Sequence, residues 1–171
     1  MVVRFRFDLS ADPGWSQTMT TRNIMSQTFT IDELLRHFRV ACTARQFAEW
    51  IDRGSFRSFP GGDGTAKTRR YSVRDGLSAS LLVQHVSVIC PSTEAAATIA
   101  NRAAGEIMKS PAFKILTDPN NAPIAEYLLV IARADIWVVR VVRQEELDFS
   151  HAYTSIVINL SQLLRDIAES A

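Results

Sequence analysis

The chain has 171 residues, 47% of them apolar, with 19 Lys/Arg against 18 Asp/Glu, so it can bury one good core or two small ones and carries no basic or acidic excess as a whole. Two cysteines, Cys42 and Cys90, exclude a disulfide framework, and no secretory signal is visible. No apolar run nears the ~20 residues of a spanning helix, so the expectation is a soluble cytoplasmic protein without a membrane partner.

The even charge balance hides a split. Residues 29–85 hold nine Lys/Arg against six Asp/Glu, and residues 86–171 hold seven against ten. A weakly basic front and an acidic back point to separate jobs.

Residues 1–28 open on the alternating run Val3-Arg4-Phe5-Arg6-Phe7 and then lose any period among Ser, Thr, Asp, Pro and Gly. They read as a loose arm or one edge strand, and Met19 or Met25 could serve as the initiator. The pattern sharpens at Thr30-Ile-Asp-Glu33, a capping box. Ile31, Leu34, Leu35 and Phe38 then fall on one helical face. After a break at Arg39-Val-Ala-Cys42, Thr43 and Gln46 repeat the capping spacing, and Ala44, Phe47, Ala48 and Ile51 repeat the apolar one. Arg53-Gly54 ends this second helix, which is about three turns long. Its open side carries Arg45, Gln46, Glu49 and Asp52, and Trp50 beside the stripe reads as core.

Residues 55–71 read as a hairpin whose tip is Pro60-Gly-Gly-Asp-Gly64 and whose far arm is Lys67-Thr-Arg-Arg-Tyr71. The tip lacks the Gly-Lys-Ser/Thr ending of a phosphate-cradling loop, so it is a turn. Ser72 starts a third helix through Val73, Leu77, Leu81, Leu82 and Val86. Ser92 caps a fourth, Ala-rich helix to about Lys109, whose smooth face permits close approach. Residues 110–124, with Pro111, Pro119 and Asn120-Asn121, read as loop. Residues 127–132 and 136–142 are β-branched and form a hairpin, 155–158 is a third strand candidate, and Leu160, Leu163, Leu164 and Ile167 give a last short helix. Both faces of these strands are apolar, so both require cover.

The front half supplies what a DNA-binding surface needs. Thr43, Arg45, Gln46 and Glu49 project from the first half of the second helix, where Arg can fork onto guanine, Gln onto adenine, and Glu can accept from cytosine. Lys67, Thr68, Arg69 and Arg70 on the hairpin are placed to grip phosphates. Leu34, Phe38, Phe47, Trp50, Ile51 and Tyr71 can hold helix and hairpin together.

Thr30-Ile-Asp-Glu-Leu34, the stretch from Thr43 through Trp50-Ile-Asp-Arg-Gly54, and Arg69-Arg-Tyr-Ser72 with Asp75 resemble the winged helix-turn-helix of the mercury-resistance-regulator (MerR) superfamily and its excisionase-like relatives. The resemblance covers about a third of the chain. It implies that the second helix reads bases and that the basic wing grips backbone, with the roles falling on Thr43, Arg45, Gln46, Lys67, Arg69, Arg70 and Tyr71. Ala44 and Ala48 stand where relatives often carry basic residues, Glu49 is acidic, and no long dimer-forming helix is evident.

The expectation is therefore an α+β protein: a loose arm over 1–28, a winged helix-turn-helix over 29–90, and a small helix-plus-β-hairpin unit over 91–171 for dimerisation or sensing. The functional expectation is a transcriptional regulator that binds double-stranded DNA as a homodimer, not an enzyme, with no cofactor, no metal and no small-molecule effector specified by the sequence. Two alternatives stand beside it. One is an excisionase-like architectural protein that bends DNA. The other is a protein-interaction module that keeps the winged shape. Cys42, Cys90, His37 and His85 suggest a metal site, but His85 and Cys90 do not fall squarely on one helical face, and the cysteines read as buried thiols. Asp148, Ser150 and His151 read as a polar connection, not a triad.

Overall fold

The computed structural model describes residues 24–52, 69–90, 92–133, 136–147 and 154–170. Local hydrogen bonding explains where its helices begin. Helix α1 (Ile31–His37) opens with Thr30 Oγ1 accepting from the Glu33 amide at 3.3 Å, while Glu33 Oε2 accepts from the Thr30 amide at 2.7 Å. It closes as a Schellman turn. The Arg39 amide donates to the Arg36 carbonyl, the Val40 amide donates to the Leu35 carbonyl, and Arg39 itself adopts φ 50°. Helix α2 (Ala44–Asp52) follows at once.

Helix α3 (Val73–Gln84) repeats the capping device with Ser72 and Asp75. Ser92 caps helix α4 (Thr93–Lys109) by accepting from the Ala95 amide. The buried face of α3 includes Gly76, Ser78, Ala79 and Ser80, and that of α4 includes Ala96, Ala97, Ala100, Ala103 and Ala104. Side chains this small let the two helices pack directly on each other.

Residues 111–121, expected to be loop, fold instead into short helical turns: Pro111–Phe113, helix α5 (Lys114–Thr117) and Pro119–Asn121. The prolines and asparagines mark turns correctly, but Ala112, Phe113, Ile115 and Leu116 are buried. Their burial in the core gives this stretch its regular shape.

Strands β1 (Tyr127–Arg133), β2 (Trp137–Arg143) and β3 (Thr154–Asn159) form an antiparallel sheet in the order β2-β1-β3, and helix α6 (Leu160–Ala168) continues from β3. The register sets Leu129 opposite Val141 and Ile158, and Ile131 opposite Val139 and Ile156. This face is covered by α4 on β2 and β1, and by α6 on β1 and β3. The buried Ser161 hydroxyl accepts from the Tyr127 amide at 2.9 Å and fastens α6 to the sheet.

One hydrophobic cluster runs from Ile24, Phe29 and Leu34 through α3 and α4 to Leu164 and Ile167. The boundary expected near residue 90 therefore falls between two helices that share a core. Arg39 adds a tie at the surface: its Nε donates to Ser170 Oγ at 2.6 Å, and its guanidinium lies 4.0 Å from Asp166. Gln84 Nε2 donates to the Arg39 carbonyl at 2.6 Å. Among the described residues no helix is long and apolar enough to cross a membrane.

Candidate nucleic-acid interface

The candidate surface is built around the point where the chain returns from the segment after α2. Tyr71 and Phe29 exchange two backbone hydrogen bonds, 2.8 and 2.9 Å, in an antiparallel bridge. This fixes residues 69–71 beside the start of α1. Phe47, fully buried on the inner side of α2, meets the Tyr71 ring edge-on at 6.0 Å between centroids. Helix α2 and residues 69–71 are thereby neighbours, with the polar side of α2 turned outward.

On that outward side Arg45 has 89% of its side chain exposed, and its Nε donates to Glu49 Oε1 at 3.1 Å. This is an i,i+4 surface pair, worth about 0.3–0.5 kcal/mol and readily exchanged for a better anion. Thr43 and Gln46 are exposed but engaged with each other. Gln46 Oε1 accepts from the Thr43 amide at 2.9 Å and from its hydroxyl at 3.0 Å, and the Gln46 amide donates to Thr43 Oγ1 at 3.2 Å. Two-point recognition of adenine would need that same Gln46 oxygen. In this state Thr43 and Gln46 cap the helix, and Arg45 with Glu49 provides the open polar pair.

Of the expected phosphate-gripping residues, Lys67 and Thr68 lie outside the described residues, as do the hairpin tip, residues 1–23 of the arm expected over 1–28, and Asp148, Ser150 and His151. Arg69 is half-buried and Arg70 is exposed. Arg70 Nη1 lies 3.7 Å from Glu33 Oε2. The Thr30 amide and hydroxyl, and then the Arg70 and Arg36 charges, hold the Glu33 carboxyl below its ordinary value of 4.5. Glu33 thus serves both the α1 cap and the positioning of Arg70.

Tyr71 is different. It is 1% exposed. Such a covered ring acts in the core, as its size allows, and the phosphate contact implied by the family resemblance does not fit it.

His37 stacks on Phe29 with ring centroids 5.2 Å apart, and burial lowers its pKa from the ordinary 6.5. Burial raises the thiols of Cys42 and Cys90 above their ordinary value, which disfavours the thiolate a metal would need. Among the described residues no group of three or more His, Cys, Asp or Glu side chains is placed to hold a metal ion.

Sequence reasoning missed the exposed arginines outside this patch. Arg74, Arg102 and Arg133 are far apart in the chain and carry no motif, so only their placement could single them out. No protein-family model matches the chain, and no curated protein is significantly similar to it.

Proposed function

We propose that the chain is a sequence-specific DNA-binding transcriptional regulator of the winged helix-turn-helix, MerR-like kind, which acts in the cytoplasm as a homodimer. Helix α2 enters the major groove, Arg45 reads a base edge, and Arg69 and Arg70, with Lys67 and Thr68 before them, grip phosphates. The observation that supports this reading is the contact of Phe47 with Tyr71, because it joins the helix that carries exposed Arg45 to the stretch that carries Arg69 and Arg70. A two-fold dimer doubles the contact and sets half-sites ~34–36 Å apart.

The test is footprinting of the full chain followed by titration of the mapped site. Arg45→Ala relaxes the preference at one base position by ~1–3 kcal/mol. Arg70→Ala weakens all sequences alike and flattens the salt dependence by roughly one unit. If both variants bind the mapped site as the wild type does, the assignment fails.

A second reading, a protein-interaction module, draws on the internal engagement of the α2 side chains: Arg45 with Glu49, and Thr43 with Gln46. Failure of the wild type to bind any genomic fragment at low salt favours it.

A further inference from the structure

Two sets of arginines stand out among the described residues. Arg39, Arg45, Arg70, Arg143 and Arg165 each lie within 4.0 Å of a carboxylate. Arg74, Arg102 and Arg133 are exposed, and each is oriented by a neutral partner instead. Arg74 Nε donates to Asn101 Oδ1 at 3.0 Å, and its Nη2 donates to the Asn101 carbonyl at 3.4 Å. Arg102 Nη1 donates to the Trp137 carbonyl at 3.3 Å. The Arg133 guanidinium lies over the Trp137 ring, 5.7 Å from its centroid.

These contacts are contiguous. Arg74 reaches α4 at Asn101, the residue beside Arg102, and Arg102 and Arg133 share Trp137. A Cβ at Gly105, one turn beyond Asn101, would meet Arg74 Nη2 at an ordinary contact distance of 3.4 Å, so the guanidinium lies along this face of α4. Glu94 is at the far start of the helix, and Glu106 is taken by Lys109 at 3.1 Å.

A guanidinium has five N–H donors; the anchors shown engage two of them on Arg74 and one on Arg102, and Arg133 is held by a ring face. The anchors hold the planes in place without cancelling the charge. A row of oriented guanidiniums, with no carboxylate within 4.0 Å among the described residues, is suited to phosphodiester oxygens. The row begins at the first turn of α3, four residues after Arg70, and crosses α4 to the β1–β2 pair. The geometry points to a second phosphate-binding track, Arg74–Arg102–Arg133 with Trp137, which grips the backbone of duplex DNA flanking the base pairs that α2 reads. This rests on the DNA-binding reading above.

The experiment titrates the full chain against two fluorescent duplexes over a range of salt: the mapped site alone, and the same site with ~10 base pairs added on each side, about one helical turn. The wild type binds the longer duplex more tightly and with the steeper salt dependence. Arg102→Gln and Arg133→Gln each lower that slope by roughly one unit on the longer duplex only, leave base preference unchanged, and are rescued by Arg102→Lys and Arg133→Lys. Circular dichroism confirms folding, and Arg74→Gln with Arg133→Gln carries the test if Arg102→Gln unfolds.

A wild type insensitive to flanking length, or a folded double variant with the wild-type slope, overturns the track. So does preferential binding of single-stranded RNA. If Arg45→Ala still relaxes base preference in that case, the DNA-binding reading survives alone. If the wild type binds no duplex, both fall.

Discussion

Gly76 lies in α3 where a Cβ would run into the ring of Phe38, a side chain with no exposed surface. Two effects oppose each other when it is changed to alanine. Helix propensity favours alanine by about 1 kcal/mol. Overpacking against a ring that has no free side to move toward costs about 1–3 kcal/mol. The steric effect wins, so Gly76→Ala lowers the unfolding free energy measured in urea. Gly76→Ala combined with Phe38→Leu recovers part of the loss, because the shorter side chain vacates the space. A more stable single variant would show that α3 shifts freely relative to α1. Arg39 shows a different compromise at this scale. A φ of 50° suits glycine better than arginine, yet arginine there reaches Ser170 and Asp166 on the far side of the chain.

At the scale of elements, α2 is held by the Thr43–Gln46 cap and buried Phe47, with Ala44, Trp50 and Ile51 packed against the core beside it. Because Thr43 and Gln46 satisfy each other's amides, Thr43→Ala costs stability before it costs recognition. Loss of such a cap destabilises by ~1 kcal/mol. The expected result is a lower thermal midpoint with the order of preferred DNA sequences unchanged. A changed order at wild-type stability would instead return Thr43 to the base-reading set. Arg45 carries the opposite expectation, since its pair with Glu49 is exposed and weak. The sheet shows the same division of labour. Leu129, Ile131, Val139 and Ile158 are buried under α4 and α6, while Val157 on the opposite face is 40% exposed.

Across the whole molecule, the front helices and the β-rich tail share one hydrophobic cluster. The direct packing of α3 on α4, and the tie from Arg39 to Ser170 and Asp166, span the boundary between them. Unfolding is therefore expected to be a single cooperative transition, with far-UV dichroism and tryptophan fluorescence changing together. Trp50 and Trp137 report from α2 and β2, so two separated transitions would reveal independent units. A shared core also bears on the proposed DNA-binding function, because a reading helix and a flanking arginine row would act on one duplex only if their spacing were fixed.

The sequence by itself determined the helix starts, since each cap joins groups three residues apart: Thr30 with Glu33, Thr43 with Gln46, Ser72 with Asp75, and Ser92 with the Ala95 amide. It also determined the strands, because runs of β-branched residues favour a pleated, packed surface. The outward position of Arg45 followed from the stripe that buries Phe47. Tertiary structure alone decided what depends on distant elements meeting. It turned residues 111–121 into helical turns by burying Phe113 and Leu116, and of the two roles the sequence left open for Tyr71, core and phosphate contact, it chose the core. It also placed Arg74 on Asn101 and Arg102 on Trp137, across 27 and 35 residues of chain. Short-range hydrogen bonds and periodicity are written locally, whereas burial and charge compensation depend on which surfaces the fold brings together.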